Sequence, residues 1–230
     1  MIAPTAREHL VLALDVGGLA EAEALAGRVR EWFGIVKVGF ELYAEAGPAA
    51  FARFRDLGFR VFADLKLHDI PTTVGRAARA LARHGVEFLD FHAAGGIDML
   101  RAGVEGLREG AARGGGVAPI ALAVTVLTSE PDARAFRARL DAAVAAGCDG
   151  VVCSAHEVAA ARDAGMRTMV PGIRPAGVSR DDQARFATPT DAIRAGADWL
   201  VVGRPVGAAP DPVSAAAAIH GEVERALAGA

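Results

Sequence analysis

Two lysines and the acids around them are the residues of this chain best suited to chemistry. Lysine occurs only as Lys37 and Lys66, although lysine and arginine together number 25 among 230 residues. A chain that otherwise uses arginine keeps lysine where a compact ammonium must donate its proton, which a guanidinium cannot do. Asp64 lies two residues before Lys66, and Asp69 lies three residues after it. The pattern indicates active-site lysines among carboxylates.

The elements that must position these side chains are short apolar runs alternating with Ala-, Arg- and Glu-rich stretches of helical period. We predict strands at 9–15, 34–39, 59–65, 86–92, 117–125, 149–153, 167–171 and 197–203. Helices are predicted at 19–32, 43–57, 72–84, 97–113, 132–146, 156–164, 190–195 and 212–228. Eight βα units without a composition break predict one α/β domain over residues 1–230, a (β/α)8 TIM barrel. A doubly wound sheet is the alternative, but no Gly-x-Gly-x-x-Gly follows the first strand.

Side-chain alternation within the first three strands predicts which residues face the barrel interior. Asp15 falls on the inward face of the first strand, and Lys37 on that of the second. Asp64 and Lys66 share the inward face of the third strand. All four therefore converge at the carboxyl ends of neighbouring strands, where barrel active sites lie. Desolvating charges costs several kcal/mol per ion, so we attribute the cluster to function.

A second group of candidate residues follows the seventh and eighth predicted strands. Arg174 lies in a Pro-Gly-Ile-Arg-Pro segment, and Gly203 and Arg204 directly follow an apolar run. Barrels frequently bind phosphate with the loops after strands seven and eight. An arginine offers two parallel donors to such an anion. The polar loop of about fifteen residues that contains Gln183 is typical of a lid that closes on a ligand.

Composition excludes several classes of function. A net charge of −3 and a pI near 6.1 provide no basic surface for nucleic acid or an anionic membrane. No apolar run is long enough for a membrane span, and the first residues do not resemble a signal peptide. Cys148 and Cys153 are spaced for opposite faces of a strand, which favours reduced core cysteines over a disulfide. We therefore expect a cytoplasmic protein.

Motifs along the whole chain resemble those of the orotidine 5′-phosphate decarboxylase family. The third-strand pattern Asp-x-Lys-x-x-Asp is shared by a wider superfamily of sugar-phosphate enzymes. Lys37, together with the motifs around Arg174 and Arg204, narrows the resemblance to the decarboxylases. The resemblance implies a homodimer that uses no cofactor and no metal, and a reaction of pyrimidine biosynthesis that turns orotidylate into uridylate and carbon dioxide. The matching segments are Leu14-Asp15-Val16, Lys37-Val38-Gly39-Phe40-Glu41-Leu42-Tyr43, Asp64-Leu65-Lys66-Leu67-His68-Asp69-Ile70-Pro71-Thr72-Thr73-Val74, Leu127-Thr128-Ser129, Pro171-Gly172-Ile173-Arg174-Pro175, Asp182-Gln183-Ala184-Arg185 and Val202-Gly203-Arg204-Pro205.

The same resemblance implies a role for each matching residue. Lys66 would donate a proton to the pyrimidine carbon that loses carbon dioxide, with Asp64 against the substrate carboxylate. Asp15 and Lys37 would hold ribose hydroxyls, and Asp69 would reach the site of the other subunit. The remaining substrate contacts would come from Ile70 and Thr73 across the dimer interface, from Thr128 and Gln183 on the pyrimidine side, and from Arg174, Gly203 and Arg204 at the phosphate.

Two other functions stay open at this point. Magnesium-dependent relatives, such as 3-keto-L-gulonate 6-phosphate decarboxylase or hexulose-phosphate synthase, place a carboxylate where this chain has Lys37, and an ammonium there opposes a metal. A catalytically silent nucleotide-binding barrel could dispense with Asp64 or Lys66, and this chain retains both. The sequence does not decide whether Asp90 faces the barrel. His92 is expected to point inward and to be hydrogen-bonded.

Overall fold

Eight parallel strands form a closed barrel in which each strand pairs with its neighbours in chain order, and the last pairs with the first. The computed structural model describes residues 4–127, 133–175 and 186–229. The barrel predicted from the alternating runs is therefore confirmed. Its strands are β1 Leu10–Ala13, β2 Ile35–Val38, β3 Arg60–Leu67, β4 Phe88–His92, β5 Ile120–Val124, β6 Gly150–Val152, β7 Arg167–Val170 and β8 Trp199–Val202.

Helices surround the barrel, as expected where each crossover between parallel strands must cover the outer face of the sheet. Two short 3-10 turns, Ala93–Gly95 and Ala155–Glu157, follow β4 and β6. In the described part of the chain the α-helices are α1 Ala6–His9, α2 Leu19–Val29, α3 Phe40–Ala46, α4 Ala49–Asp56, α5 Pro71–Ala82, α6 Gly96–Gly114, α7 Phe136–Ala146, α8 Val158–Asp163, α9 Pro189–Arg194, α10 Arg204–Gly207 and α11 Pro212–Ala228.

Two apolar layers follow from the alternation of side chains along the strands. One face of each strand packs on the helices, as Leu10, Leu12 and Leu14 do, with all three side chains fully buried. The side chains on the other face fill the interior of the barrel. The predicted assignment of β1 is thus confirmed, because Val11 and Ala13 belong to the inner layer. Its members are Val11, Ala13, Ile35, Phe62, Phe88, Leu122, Val124, Val152, Met169, Trp199 and Val201.

The observed elements mostly begin or end a few residues away from their predicted bounds, and two differences are larger. The single helix expected at 43–57 is wrong, because the chain breaks into α3 and α4 at Gly47 and Pro48. Gly47 adopts φ +58°, and proline lacks the N–H that a continuing helix would need. Strand β3 runs on to Leu67, two residues past its predicted end, so Lys66 lies within the strand.

The packing of α6 accommodates a large aromatic residue of β4. Phe91 is fully buried on the outer face of β4. A Cβ atom built on Gly103 of α6 would lie 2.5 Å from the Phe91 ring, so glycine is needed there. Farther along α6, a Cβ on Gly106 would lie 2.2 Å from the backbone oxygen of Gly75 on α5. Glycines therefore let α6 approach both the large ring and the neighbouring helix.

Cys148 and Cys153 are both buried and are not joined by a disulfide. Burial raises the pKa of the Cys148 thiol to about 12, so this side chain is a neutral part of the core. Among the described residues no helix is long and apolar enough to cross a membrane.

Candidate active site

Four charged side chains meet at the carboxyl ends of β1, β2 and β3. The Lys37 ammonium donates to Asp15 Oδ1 at 2.7 Å and lies 3.2 Å from Asp64 Oδ2. The Lys66 ammonium pairs with the other oxygen of Asp64. Asp64 thus lies between two ammonium groups. This agrees with the prediction that these side chains face inward from neighbouring strands and converge.

Burial makes these ion pairs depend strongly on one another. Burial alone would raise the pKa of Asp64, but the ammonium groups of Lys37 and Lys66 outweigh it and lower that pKa to about 2. Burial alone would lower the pKa of Lys37, but the carboxylates of Asp64 and Asp15 raise it above its ordinary value. Asp64 is therefore ionised and Lys37 protonated at neutral pH. The Asp15 side chain is 58% exposed, which leaves it open to a ligand.

The backbone of Lys66 is unusual for a strand residue. Its φ of +41° lies in the left-handed region, and no other non-glycine residue in the described ranges has a positive φ. Such a conformation costs a residue with a Cβ about 1–2 kcal/mol. It falls where the pairing of β3 with β4 shifts register between Ala63 and Leu67, as at a β-bulge. Bulges commonly redirect side chains next to active sites.

A fully buried acid on β4 stabilises that bulge. Asp90 Oδ1 accepts the backbone N–H of Leu65 at 2.8 Å and that of Lys66 at 2.7 Å. The same carboxyl contacts the side chain of Asp64. Burial and then the negative charge of Asp64 raise the pKa of Asp90 well above its ordinary value. Asp90 therefore faces the barrel, a question that the sequence left open.

The candidate phosphate-binding residues after β7 and β8 also lie close together. Arg174 is buried just after β7, where its backbone N–H donates to the oxygen of Ala187 at 2.9 Å and its side chain donates to the oxygen of Ile173. Gly203 ends β8, and Arg204 follows it at the start of α10. These residues line the same cavity as the charged cluster. The structure thus places two guanidinium groups in one cavity with two lysines.

This cavity, of about 530 Å³, opens at the carboxyl end of the barrel. Its apolar wall was not recognised in the sequence, although the inward alternation of the strands could have indicated it. The apolar wall residues are Ala13, Phe62, Val124, Val126, Leu127, Val152 and Val201. A separate cavity of about 560 Å³ includes Glu87, Arg108, Asp149 and Arg167, and contains none of the predicted site residues. Within the described ranges, no three His, Cys, Asp or Glu side chains are grouped to hold a metal.

The three residues expected to act across a dimer interface lie outside the cavity. Asp69 and Ile70 follow β3, and the Asp69 carboxylate accepts the N–H of Ile70 at 2.6 Å. Ile70 is 65% exposed, and Phe40 is 62% exposed. Asp69 and Thr73 line a neighbouring surface depression with Phe40 and Lys66. Within one chain, therefore, the structure does not bring Asp69, Ile70 and Thr73 into the main cavity.

Two predicted substrate contacts, Thr128 and Gln183, lie outside the described residues. His92 is hydrogen-bonded as expected, since its Nδ1 accepts the N–H of Ala94 at 3.2 Å. Its ring stacks on that of His68 with a centroid separation of 5.5 Å. Neither ring lines the main cavity.

Comparison with known proteins gives consistent matches across nearly the whole chain. The family described as Orotidine 5′-phosphate decarboxylase / HUMPS matches residues 8–219. A Moorella thermoacetica protein named orotidine 5′-phosphate decarboxylase is 48% identical over 241 residues, covering 97% of this chain and 95% of its own. One of the same name from Anaeromyxobacter dehalogenans is 50% identical over 229 residues, covering 92% and 96%. The crystal structure of orotidine 5′-phosphate decarboxylase from Lactobacillus acidophilus superimposes with a TM-score of 0.79 at 34% identity, covering 94% of this chain and 99% of the other.

Proposed function

This chain belongs to the orotidine 5′-phosphate decarboxylase / HUMPS family, and from that premise we propose that it converts orotidylate to uridylate and carbon dioxide. The observation that carries the proposal is the row Lys37–Asp64–Lys66, which lines one cavity with Arg174 and Arg204. The row offers charges to a reacting carboxylate and a proton donor. The arginines offer donors to a phosphate. The relatives named decarboxylase support this member of the family over its magnesium-dependent branch.

Asp64 is proposed to lie against the carboxylate that the substrate loses. Its low pKa, set by two ammonium groups against the effect of burial, keeps it charged at neutral pH. Two like charges at about 4 Å repel by about 4 kcal/mol at an effective dielectric near 20. The repulsion disappears as neutral carbon dioxide departs, so it raises the ground state more than the transition state and lowers the barrier.

Lys66 is proposed as the proton donor. When the bond from pyrimidine C6 to the carboxylate breaks, the electron pair stays on C6, and the nearby ammonium stabilises it. The ammonium then transfers one proton to C6, which yields uridylate and a neutral amine that solvent reprotonates. Arginine could not replace it as an acid, because its pKa exceeds about 12.

The remaining contacts are proposed from geometry and from family resemblance. Asp15 and Lys37 would bind ribose hydroxyls, for which the open carboxylate of Asp15 is suited. Arg174, Gly203 and Arg204 would hold the phosphate at the other end of the cavity. For Thr128 on the pyrimidine and Gln183 on the closing loop, family resemblance alone supports the role.

We further propose a homodimer in which Asp69 completes the charge row of the partner's site, with Ile70 and Thr73 beside it. Support comes from the exposure of Ile70 and Phe40, which leaves apolar surface next to Lys66 within one chain. Large exposed apolar side chains are commonly covered by a partner. An aspartate brought in there would give the Lys66 ammonium a second carboxylate neighbour.

No cofactor or metal is proposed for the reaction, because the Lys37 ammonium stands where a cation would have to bind. The test follows the loss of orotidylate absorbance with purified protein in EDTA. Rapid formation of uridylate is the expected result and would establish both the activity and its metal independence. A flat trace from folded protein that binds uridylate would contradict the proposal and favour a silent binding barrel. Magnesium-dependent action on a sugar phosphate would identify the other branch of the family.

A further inference from the structure

Asp90 is a buried acid that the reaction described above does not use. It lies on β4, has no exposed surface, and is hydrogen-bonded to the backbone of β3 at Leu65 and Lys66. A carboxyl in such a place is costly unless each of its oxygens is satisfied. The contacts of its two oxygens therefore bear on what it does.

One oxygen acts on the main chain of the site lysine. Asp90 Oδ1 accepts two consecutive backbone N–H groups, those of Leu65 and Lys66. These amides lie where β3 departs from regular pairing with β4 and where Lys66 takes φ +41°. A strained conformation persists only when its surroundings hold it. The two bonds connect the strained residue to the adjacent strand, and so fix the direction in which the Lys66 side chain leaves the backbone.

The other oxygen concerns the carboxylate between the lysines. Asp90 Oδ2 is buried and accepts no hydrogen bond from a described donor group. The Asp90 carboxyl nevertheless contacts that of Asp64. Two carboxylates in contact cannot both be ionised in a buried site. Asp64 pairs with two ammonium groups and keeps its charge, so the shared proton belongs on Asp90, whose O–H can donate to Asp64.

We infer that Asp90 is a positioning residue of the reaction: in its neutral form it holds the strained Lys66 backbone through Oδ1 and orients the Asp64 carboxylate through a donated hydrogen bond. Burial and the charge of Asp64 raise the pKa of Asp90, which agrees with a neutral acid. The inference rests on the proposed function for its reaction, but the hydrogen bonds themselves can be tested separately. An asparagine would reproduce both contacts, since its oxygen accepts and its amide donates.

The test compares Asp90→Ala and Asp90→Asn with the unaltered protein. Orotidylate turnover and uridylate binding are measured on protein shown to be folded. Asp90→Ala is expected to lower kcat about 100-fold, the scale reported for a misplaced reacting group, with little change in uridylate affinity. Asp90→Asn is expected to recover most of the lost kcat. A purely structural role would instead reduce stability and leave the kcat of the folded fraction unchanged.

Leu89→Ala is the matched control. Leu89 is the preceding residue of β4, fully buried on the helix-facing side, and has no part in the site. Its truncation should destabilise the same strand while kcat stays near that of the unaltered protein. Wild-type kcat in folded Asp90→Ala would overturn the inference. Asp90→Asn as impaired as Asp90→Ala would also overturn it, because the neutral form would not be the one that acts.

Amide hydrogen exchange separates this inference from the proposed function. The N–H groups of Leu65 and Lys66 should exchange much faster in Asp90→Ala and remain protected in Asp90→Asn. Unchanged protection in Asp90→Ala would contradict the positioning role. If the unaltered protein does not decarboxylate orotidylate, the proposed function fails, and the exchange result still decides whether Asp90 holds the bulge.

Discussion

The backbone N–H of Lys66 donates a 2.7 Å hydrogen bond to the buried carboxyl of Asp90, which connects the site lysine to the neighbouring strand. The ammonium of the same lysine pairs with Asp64. Lys66 is therefore held at both its main chain and its tip, although its φ is unfavourable for any residue with a Cβ. In the proposed role of proton donor, a lysine fixed in this way needs little rearrangement before it transfers a proton.

Replacement of Lys66 by alanine should remove nearly all turnover and leave uridylate binding largely intact. We expect kcat to fall at least about 1,000-fold, since proton transfer and charge stabilisation are both lost. Asp64 keeps Lys37 as a partner at 3.2 Å, so the protein should still fold. Steady-state kinetics and uridylate titration check this. Substantial residual decarboxylation would refute the proton-donor role.

The strain at Lys66 should be visible in stability. Lys66→Gly is expected to unfold with a free energy about 1 kcal/mol higher than Lys66→Ala, because only glycine adopts φ +41° without a penalty. The order should reverse at Asp141, an exposed residue inside α7, where glycine costs about 1 kcal/mol relative to alanine. Urea denaturation of the four variants measures both differences. Equal stability of Lys66→Gly and Lys66→Ala would show that the bulge is unstrained.

Asp69 should act in the partner's site. Inactive homodimers of Lys66→Ala and of Asp69→Ala, once mixed and allowed to exchange subunits, should form heterodimers with one intact site each. Random exchange makes half of the dimers mixed, so about a quarter of wild-type activity should return. Mixing Lys66→Ala with Asp64→Asn is the control, since both residues belong to the same chain's site and no intact site can form. No recovery after demonstrated exchange would contradict a shared site.

Arg204 should contribute mainly through the phosphate. Arg204→Ala is expected to lower kcat/KM for orotidylate about 10- to 100-fold, the range for a lost hydrogen bond to a charged group. Activity on orotidine, the same nucleoside without phosphate, should be nearly unchanged. Arg194→Ala, at an exposed arginine of α9, should affect neither substrate. Equal losses on both substrates would mean that Arg204 supports the site in some way other than phosphate binding.

The buried acid should give a defined pH dependence of stability. A raised pKa in the folded state means that the folded protein keeps a proton on Asp90 that the unfolded chain releases. Stability therefore falls as pH rises from about 4, the ordinary aspartate value, toward the folded pKa. Asp90→Asn removes this loss, so its melting temperature relative to wild type should increase as pH rises from about 4 and level off only above the folded pKa of Asp90.

Relative to wild type, the free energy of unfolding of Asp90→Asn should increase by up to about 1.4 kcal/mol per pH unit over this range. From β3, Asp64 and Lys66 are the charged groups that act on Asp90, and the paired strand β5 contributes only apolar residues. Asp64 is present in both proteins, so its own opposite dependence cancels. Asp141→Asn, at an exposed position, is the control. A difference that does not change with pH would show that Asp90 is ionised in the folded state.

The sequence by itself determined the barrel and the identity of the charged row. Side chains alternate between the two faces of a strand with a period of two. Once the inward face of a strand is known, the positions of Asp15, Lys37, Asp64 and Lys66 follow without knowledge of the adjacent strands. The βα repetition is likewise local, and parallel strands with crossover helices have few ways to close. The outer apolar positions followed from the same rule, as Leu10 and Leu12 illustrate.

Only the tertiary structure decided the features that depend on register and close packing. The sequence left the direction of Asp90 open, because its contacts with Leu65 and Lys66 exist only once β4 lies beside the irregular part of β3. The fit of Phe91 into the space at Gly103 likewise joins residues that are distant along the chain. Short-range pattern specifies which face a residue occupies, whereas the atoms it touches depend on how strands and helices align, and that alignment is a property of the whole fold.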